Sequence, residues 1–250
     1  YFPRIKNFIT SSLDEFRVVA IMVVYNEEDI IIPSIMKYLE QGIQVYVVDN
    51  WSTDRTFELL QNFTHDNLIG IERFPLSNPQ NYSSMYDIFR RIEEITKTIN
   101  ADWFIHADAD EIRQSPWKGI NLKYGIYLVD KLGYTAIDHS IINFPPTDDN
   151  FVSGSDFESY FQYYSIDAYL GNQLQIKIWK KSKNAANIAG SGGHNIGFEE
   201  RKLFPFKFLI KHYQFRSKKQ AEKKTILDRR QRWSFKERAC GWFNHYDNIS

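Results

Sequence analysis

The feature that most constrains the fold is an alternation of short apolar runs with amphipathic stretches across residues 18–110. The apolar runs are rich in β-branched residues and have the length of buried strands. The four predicted strands cover residues 20–24, 44–48, 69–74 and 103–106. Because strand and helix alternate along the chain, the sequence predicts an α/β fold with a mainly parallel sheet and crossover helices.

The stretches between these runs carry the signals of helices. Pro33 lies near the start of the first predicted helix, and Gly42 marks its end. Thr53 and Asp54 are predicted to cap a second helix that runs through Leu60. Apolar residues between Tyr82 and Ile99 recur at three- and four-residue steps, which predicts an amphipathic third helix.

Polar clusters follow three of the predicted strands. They are Tyr25-Asn26-Glu27, Asp49 and Asp108-Ala109-Asp110. Ligands of parallel α/β sheets bind beyond the carboxyl ends of the strands, so we expect these clusters to converge on one ligand site.

The first strand–helix turn contains no glycine, since Gly42 is the earliest glycine of the chain. This excludes a dinucleotide-binding Gly-x-Gly-x-x-Gly loop or a Walker loop at that turn. A phosphate-containing ligand would therefore need a metal ion or cationic side chains.

Asp108 and Asp110 are the candidate metal ligands. Carboxylate oxygens suit Mg²⁺ or Mn²⁺, with diphosphate oxygens and water completing the octahedron. The alternative is a solvated acidic turn that caps the next helix. The position of the pair after the fourth strand favours the metal site. His194 and His212 are further candidates, because imidazole also binds Mn²⁺.

The remaining donor-site candidates have structural alternatives. Asp49 could accept a hydrogen bond from a nucleotide base or ribose, or it could stabilise the turn that follows it. Four cationic side chains could balance the charge of a diphosphate, or they could be solvated. These four are Lys177, Lys180, Lys211 and Arg216.

The second half of the chain is less regular. Residues 134–143 and 175–180 are predicted strands, and residues 217–233 a charged helix. The polar segment between these two strands is a long loop, and loops of this length in a compact domain usually have a function. We expect a single domain over residues 1–250, with a donor-binding half at 17–116 and an acceptor-binding half at 117–250.

Charge is unevenly distributed although its sum is zero. Residues 1–116 carry a net charge of −8 and residues 117–250 a net charge of +8. This fits a cation site in the first half and an anionic ligand in the second, whereas overall neutrality argues against nucleic acid as a partner. Residues 217–238 have a net charge of +6, which could contact an anionic acceptor or membrane, or could be solvated.

Cys240 is the only cysteine, which excludes an internal disulfide and favours a reducing compartment. No apolar run reaches the roughly 20 residues of a membrane helix. We therefore expect a cytoplasmic protein with possible peripheral contact to the inner face of the membrane.

Three sequence blocks, VVYNEEDI, VDNWSTDRT and WFIHADADEI, resemble family 2 glycosyltransferases of the GT-A fold. Later blocks, among them NFPPTDDNFVSGSDFE, SGGH and FKFLIKHYQFRS, resemble a bacterial branch that acts on polysaccharides or surface glycans. The resemblance spans residues 18–247. It implies a UDP- or GDP-sugar donor and a glycan or lipid-linked glycan acceptor.

The resemblance also implies roles for residues. Asp49 would contact the nucleotide base, and the Tyr25–Glu27 turn would lie near the nucleoside. Asp108 would face the ribose and the metal ion, and Asp110 would bind the metal ion. His194 is preferred to His212 as the metal-binding imidazole. Trp51 departs from the family pattern, which more often has glycine there.

The family is expected to invert anomeric configuration, which requires a carboxylate to deprotonate the acceptor hydroxyl. Asp156 and Glu158 are the candidates, with Asp156 ahead, and Glu199 and Glu200 remain alternatives. Asp156 could instead form a turn at GSDF.

Two other functions are alternatives. A sugar-phosphate nucleotidyltransferase would need a glycine-rich loop after the first strand, where this chain has YNEED. A non-catalytic glycan- or membrane-binding module on the same fold is opposed by the intact Asp-x-Asp.

Overall fold

The protein is described here from a computed structural model, which covers residues 12–77, 84–165, 174–184, 186–229 and 232. Predictions that concern Tyr82, Cys240 and residues 233–238 fall outside the described residues.

Within the described residues, strands and helices alternate as predicted through the first half. The strands are β1 (Val18–Val24), β2 (Gln44–Asp49), β3 (Leu68–Arg73), β4 (Trp103–Asp108), β5 (Glu111–Gln114), β6 (Ala136–Ile137), β7 (His139–Asn143), β8 (Ile178–Lys180) and β9 (Phe208–His212). The helices are α1 (Ile31–Leu39), α2 (Thr56–Asn62), α3 (Met85–Thr98), α4 (Leu122–Lys131), α5 (Phe157–Tyr160) and α6 (Lys218–Glu222). A 3₁₀ turn spans Ala189–Ser191, and a π-helical segment, Lys223–Arg229, follows α6 directly.

The larger sheet has the strand order β3-β2-β1-β4-β8-β6. Its first four strands are parallel, and β8 and β6 add antiparallel pairs. The α/β class and the mainly parallel sheet predicted from the sequence are confirmed.

The central strands β1 and β4 are buried on both faces of this sheet, which explains why they are almost continuously apolar. Along β1, Ala20 and Met22 face one hydrophobic cluster, whereas Val19 and Ile21 face the other. Helix α1 packs on the first cluster and α3 on the second.

The smaller sheet has the order β5-β9-β7. Neither β5 nor β9 was predicted, and the run at 134–143 divides into β6 and β7. Strand β5 comes from the first half of the chain and β9 from the second, so the two predicted halves share this sheet. They also share the larger sheet, since β8 pairs with β4.

The approach of β3 to β2 requires a glycine at position 70. A Cβ there would lie 2.3 Å from Cε2 of Tyr46, whereas a Cβ at Gly197 would have no neighbour within 4 Å.

We expect Gly70→Ala to lower the free energy of unfolding by about 1–3 kcal/mol, because the Tyr46 ring must move to admit the methyl group. Gly197→Ala should stay within about 0.5 kcal/mol of the parent. Urea denaturation of the two variants provides the comparison. Equal effects would mean that the contact with Tyr46 does not constrain position 70.

Candidate functional site

The carboxyl ends of β2, β1 and β4 lie side by side. In the strand register Val24 is opposite Asp49, and Val23 is opposite Asp108. With roughly 4.8 Å between neighbouring strands, the two aspartates flank the end of β1 about 10 Å apart. The predicted convergence of polar residues at this edge of the sheet is present.

The turn after β1 is tied to the turn after β2 by hydrogen bonds. The backbone N–H of Thr53 donates to Oδ1 of Asn26 at 2.8 Å, and the N–H of Glu27 donates to Oγ1 of Thr56 at 2.9 Å. Asn26 has a left-handed backbone with φ +55°. The amide of Asn26, predicted to bind the donor, therefore positions the turn of Thr53.

These bonds also revise the predicted cap of α2. The residue before the helix is Arg55, whose side chain makes no capping bond, and the helix runs on past Leu60 to Asn62. Asp54 nevertheless accepts from the backbone N–H of Thr56 at 2.9 Å. The backbone N–H of Thr53 is hydrogen-bonded to Asn26 instead.

Trp51 also has a left-handed backbone, with φ +59°. A bulky residue is rare in this region, where glycine is at no disadvantage. A glycine at this position would adopt the same conformation without strain. The indole N–H of Trp51 donates to the Pro75 carbonyl at 2.7 Å, and the Arg73 guanidinium lies over the ring at 4.8 Å.

Asp49 is completely buried at the end of β2. Its carboxylate accepts from the N–H of Ser52 and from Nε of Arg73, the latter at 3.1 Å. Burial raises its pKa, and the bonds from Ser52 and Arg73 partly offset the increase. The turn-stabilising role is therefore present, and the contact with a nucleotide base stays a prediction.

Asp108 is held by a buried lysine. Nζ of Lys177 lies 2.9 Å from Oδ2 of Asp108 and 3.0 Å from both carboxylate oxygens of Glu111. Burial lowers the pKa of Lys177, but the two carboxylates outweigh it and raise the pKa, so the ammonium keeps its charge. Burial likewise raises the pKa of Asp108, but Lys177 outweighs it and holds that pKa well below the ordinary value.

The same network continues to Arg113, which is fully buried. Its guanidinium donates to Glu111 at 2.6 Å, to the carbonyl of His106 at 2.7 Å and to the hydroxyl of Tyr38 at 2.8 Å. Burial lowers the pKa of His106 to about 4, so the imidazole is neutral at physiological pH. Glu111 and Arg113 were not predicted as site residues, although Glu111 adjoins the Asp-x-Asp.

Asp110 belongs to a second network. Nζ of Lys224 lies 2.7 Å from Oδ2 of Asp110 and 2.8 Å from Oε1 of Glu27. Arg216 donates to the other oxygen of Glu27 at 2.5 Å and to both oxygens of Asp29 at 2.8 and 2.9 Å. Glu27 is thus held between two cations from the far end of the chain. Arg216 was a predicted site residue; Lys224 and Asp29 were not.

The two candidate imidazoles have different positions. Nε2 of His212 lies 3.9 Å from Oδ2 of Asp110, and its Nδ1 is 2.9 Å from Oδ1 of Asn143. His194 is exposed, with Nδ1 3.3 Å from Oε1 of Gln175. The geometry therefore favours His212 over the His194 that the sequence ranked first.

The described residues supply only part of the coordination that a divalent cation needs. Within the described ranges, no group of three or more His, Cys, Asp or Glu side chains is arranged to hold a metal ion. The neighbours Asp110 and His212 offer a carboxylate and an imidazole, a donor set that suits Mn²⁺. The remaining positions would have to be filled by diphosphate oxygens and water.

Residues 19–117 match the family model of glycosyl transferase family 2. The match begins in β1 and ends after β5, so it contains Asp49, Asp108 and Asp110. It supports glycosyl transfer as the general activity and, together with the parallel sheet, confirms the predicted GT-A class. Lys177, Arg216 and Lys224 lie outside the matched range.

A search of curated proteins finds no match to this chain. Among solved structures, the chain is similar to the crystal structure of S. aureus TarS residues 1–349 in complex with UDP. Sequence identity is 17% and the TM-score is 0.37, over 66% of this chain and 47% of TarS. The chain thus spans about half the length of that structure.

Asp156 and Glu158, the predicted catalytic carboxylates, are held in ion pairs. Lys37 lies 2.9 Å from Asp156 and 3.2 Å from Glu158, and Lys211 lies 2.6 Å from Glu158. Neighbouring residues of a strand point to opposite faces, so Lys211 and Glu158 lie across the smaller sheet from His212.

Asp156 also caps α5, accepting from the backbone N–H of Glu158 at 3.2 Å. Partial burial raises its pKa, but bonds from Ser159 and Lys37 outweigh this and lower it, which makes the carboxylate a weaker base. The geometry therefore supports the alternative in which Asp156 forms a local turn at GSDF. A role as base would require these bonds to break.

The basic segment is not the uniformly solvated or membrane-facing surface that its charge suggested. Lys218, Lys219 and Lys223 are exposed, but Lys224 is buried. The Arg232 guanidinium lies over the Tyr25 ring at 3.8 Å and donates to the carbonyl of Asn50 at 3.1 Å. Lys224 and Arg232 thus contact the turns at the carboxyl ends of β1, β2 and β4, which together are called the donor edge.

The Asp108 network predicts a large difference between two lysines, Lys177, which directly precedes β8, and Lys180, which ends it. Lys177→Met should lower the free energy of unfolding by about 3–5 kcal/mol, because it leaves Asp108 and Glu111 without their buried counter-charge. Lys180→Met removes only a partly exposed pair with Asp130 and should cost less than about 1 kcal/mol. Urea unfolding of both variants tests this, and equal losses would contradict the assigned importance of Lys177.

Proposed function

We propose that the protein transfers a sugar from a nucleotide-diphosphate sugar to a glycan or lipid-linked glycan acceptor. The observation that carries the proposal is Asp108 at the end of β4. Its carboxylate is partly exposed at the converging strand ends while the buried ammonium of Lys177 keeps it ionised. The matched family range, 19–117, contains this aspartate.

The donor would lie across the ends of β2, β1 and β4. Its nucleoside would contact the turns that contain Tyr25 and Asp49, and its diphosphate would lie beside Asp108 and Asp110. Backbone amides of a glycine loop are not available after β1, so the phosphates need cations. Lys177 supplies positive charge beside Asp108 at the end of β4, and Arg216 supplies it beside Glu27 in the turn after β1.

We further propose that Mn²⁺ or Mg²⁺ participates, held by Asp110 with His212 or by Asp108, together with the donor's diphosphate. When bound, the ion would neutralise the charge that develops on the leaving diphosphate. The chain's own contribution is to orient the ligands. Backbone pairing fixes Asp108 in β4, and the backbone carbonyl of Asp110 accepts from the N–H of Tyr213 at 2.8 Å.

An inverting transfer in bacterial surface polysaccharide synthesis is the finer form of the proposal. Its support is the set of sequence blocks in the second half that resemble that branch. Peripheral contact with an anionic membrane would depend on the exposed Lys218, Lys219 and Lys223, since Lys224 is buried. No helix among the described residues is long and apolar enough to cross a membrane.

Asp108→Asn should reduce nucleotide-sugar hydrolysis in the presence of Mn²⁺ by about 10²-fold or more, since it removes a charge placed where the diphosphate departs. A panel of UDP- and GDP-sugars with and without EDTA measures this loss. Asp102→Asn is the matched control. Asp102 adjoins the opposite end of β4, where it accepts from the N–H of Arg17.

Equal hydrolysis by the Asp108 and Asp102 variants would contradict the placement of the donor site. Pyrophosphate-dependent formation of nucleotide sugars would indicate the nucleotidyltransferase instead. Hydrolysis that is insensitive to EDTA would remove the metal from the proposal while leaving the donor site in place.

A further inference from the structure

Lys224 occupies an unusual position for a residue in a segment rich in positive charge. Its side chain is 6% exposed, and its ammonium bridges Oδ2 of Asp110 and Oε1 of Glu27 at 2.7 and 2.8 Å. These carboxylates follow two different strands, β4 and β1. The bridge therefore joins the Asp-x-Asp to the turn that is expected to lie near the nucleoside.

The segment that carries Lys224 is attached to the donor edge at a second point. Lys224 lies in the π-helical segment Lys223–Arg229. Further along, Arg232 covers the Tyr25 ring and donates to the carbonyl and Oδ1 of Asn50. Lys224 and Arg232 thus contact the turns after β1 and β2 as well as Asp110.

A metal ion and the Lys224 ammonium would compete for the same oxygen. A divalent cation binds a carboxylate oxygen at about 2.0–2.2 Å, through the lone pairs that the ammonium now occupies. Arg216 also lies against Glu27 and Asp29, so a divalent ion that joined Lys224 and Arg216 at these carboxylates would bring a third cationic group to the same place. Repulsion between the cations therefore favours exchange of Lys224 for the ion.

We propose that Lys224 is the resident counter-cation of Asp110 and that a divalent cation binds there by displacing it. Displacement detaches the π-helical segment Lys223–Arg229 from Asp110, so cation binding opens this part of the donor edge. The inference rests on the proposed metal-dependent transfer and assigns a positioning residue to it. The ammonium keeps Asp110 and Glu27 paired until the cation arrives.

The first test is a titration of the whole protein with Mn²⁺ in the absence of nucleotide. The electron paramagnetic resonance signal of free Mn²⁺ measures how much of the ion is bound. Lys224→Met keeps most of the buried stem but removes the competing charge, so its Kd for Mn²⁺ should fall about tenfold, which corresponds to about 1.4 kcal/mol. Lys219→Met removes the same charge from an exposed position on α6 and should leave the Kd within about twofold.

An unchanged or higher Kd in Lys224→Met would overturn the proposal, and so would equal tightening in both variants. The latter would show that only the net charge of the segment matters. The result is independent of nucleotide-sugar hydrolysis. Failure here with normal hydrolysis by the parent protein removes the exchange and leaves the proposed transfer intact.

A second measurement uses the parent protein and remains valid if Lys224→Met does not fold. Trypsin cleavage after Lys224 requires the segment to leave the surface, whereas cleavage after the exposed Lys219 does not. With millimolar Mn²⁺, intact-mass analysis should show faster cleavage after Lys224 relative to Lys219. A ratio that stays constant or falls would contradict displacement.

Discussion

The candidate site depends on charges that are buried in pairs at the end of a parallel sheet. Removing one partner of a buried ion pair is costly, because the other charge remains in a poorly solvated place. Lys177 is the central example, since one ammonium serves both Asp108 and Glu111. It allows an ionised carboxylate to end a strand whose other residues are buried and, apart from His106, apolar.

The uneven charge of the sequence has a structural explanation in these pairs. The acidic first half supplies Glu27, Asp29, Asp108 and Asp110, and the basic second half supplies Lys177, Arg216 and Lys224. The sequence suggested a cation site in one half and an anion site in the other. In the folded protein, some acidic side chains of the first half form ion pairs with basic side chains of the second half at the donor edge.

The central strands of the first half were predictable because they are buried on both faces and are therefore continuous apolar runs. Strand β5 was missed because EIRQ directly follows the acidic cluster and contains one apolar residue, Ile112, so no apolar run indicates a strand. In β9 the apolar run is only three residues long, Phe208 to Ile210, and two polar residues follow it. The position of Asp108 was predictable because it follows β4 in sequence.

Contacts between distant segments were predictable only in part. Lys177 and Arg216 were candidates because of their charge, but no local pattern marked Lys224, whose neighbours Lys223 and Ile226 are exposed. Asp156 was selected for its place in a long loop, and only the structure reveals its bonds to Lys37 and Ser159. Trp51 departs from the sequence pattern that the chain resembles, and its left-handed backbone is a conformation that glycine adopts more readily.

Hydrogen–deuterium exchange of the parent protein with nucleotide and Mn²⁺ tests the central claim most directly. A donor bound at the carboxyl edge should slow exchange of backbone amides in residues 25–30 and 50–55, the turns that follow β1 and β2. Peptides from α4 should be unaffected, because that helix does not follow a strand of the edge. Slowed exchange in α4 but not in the two turns would contradict this account of the site.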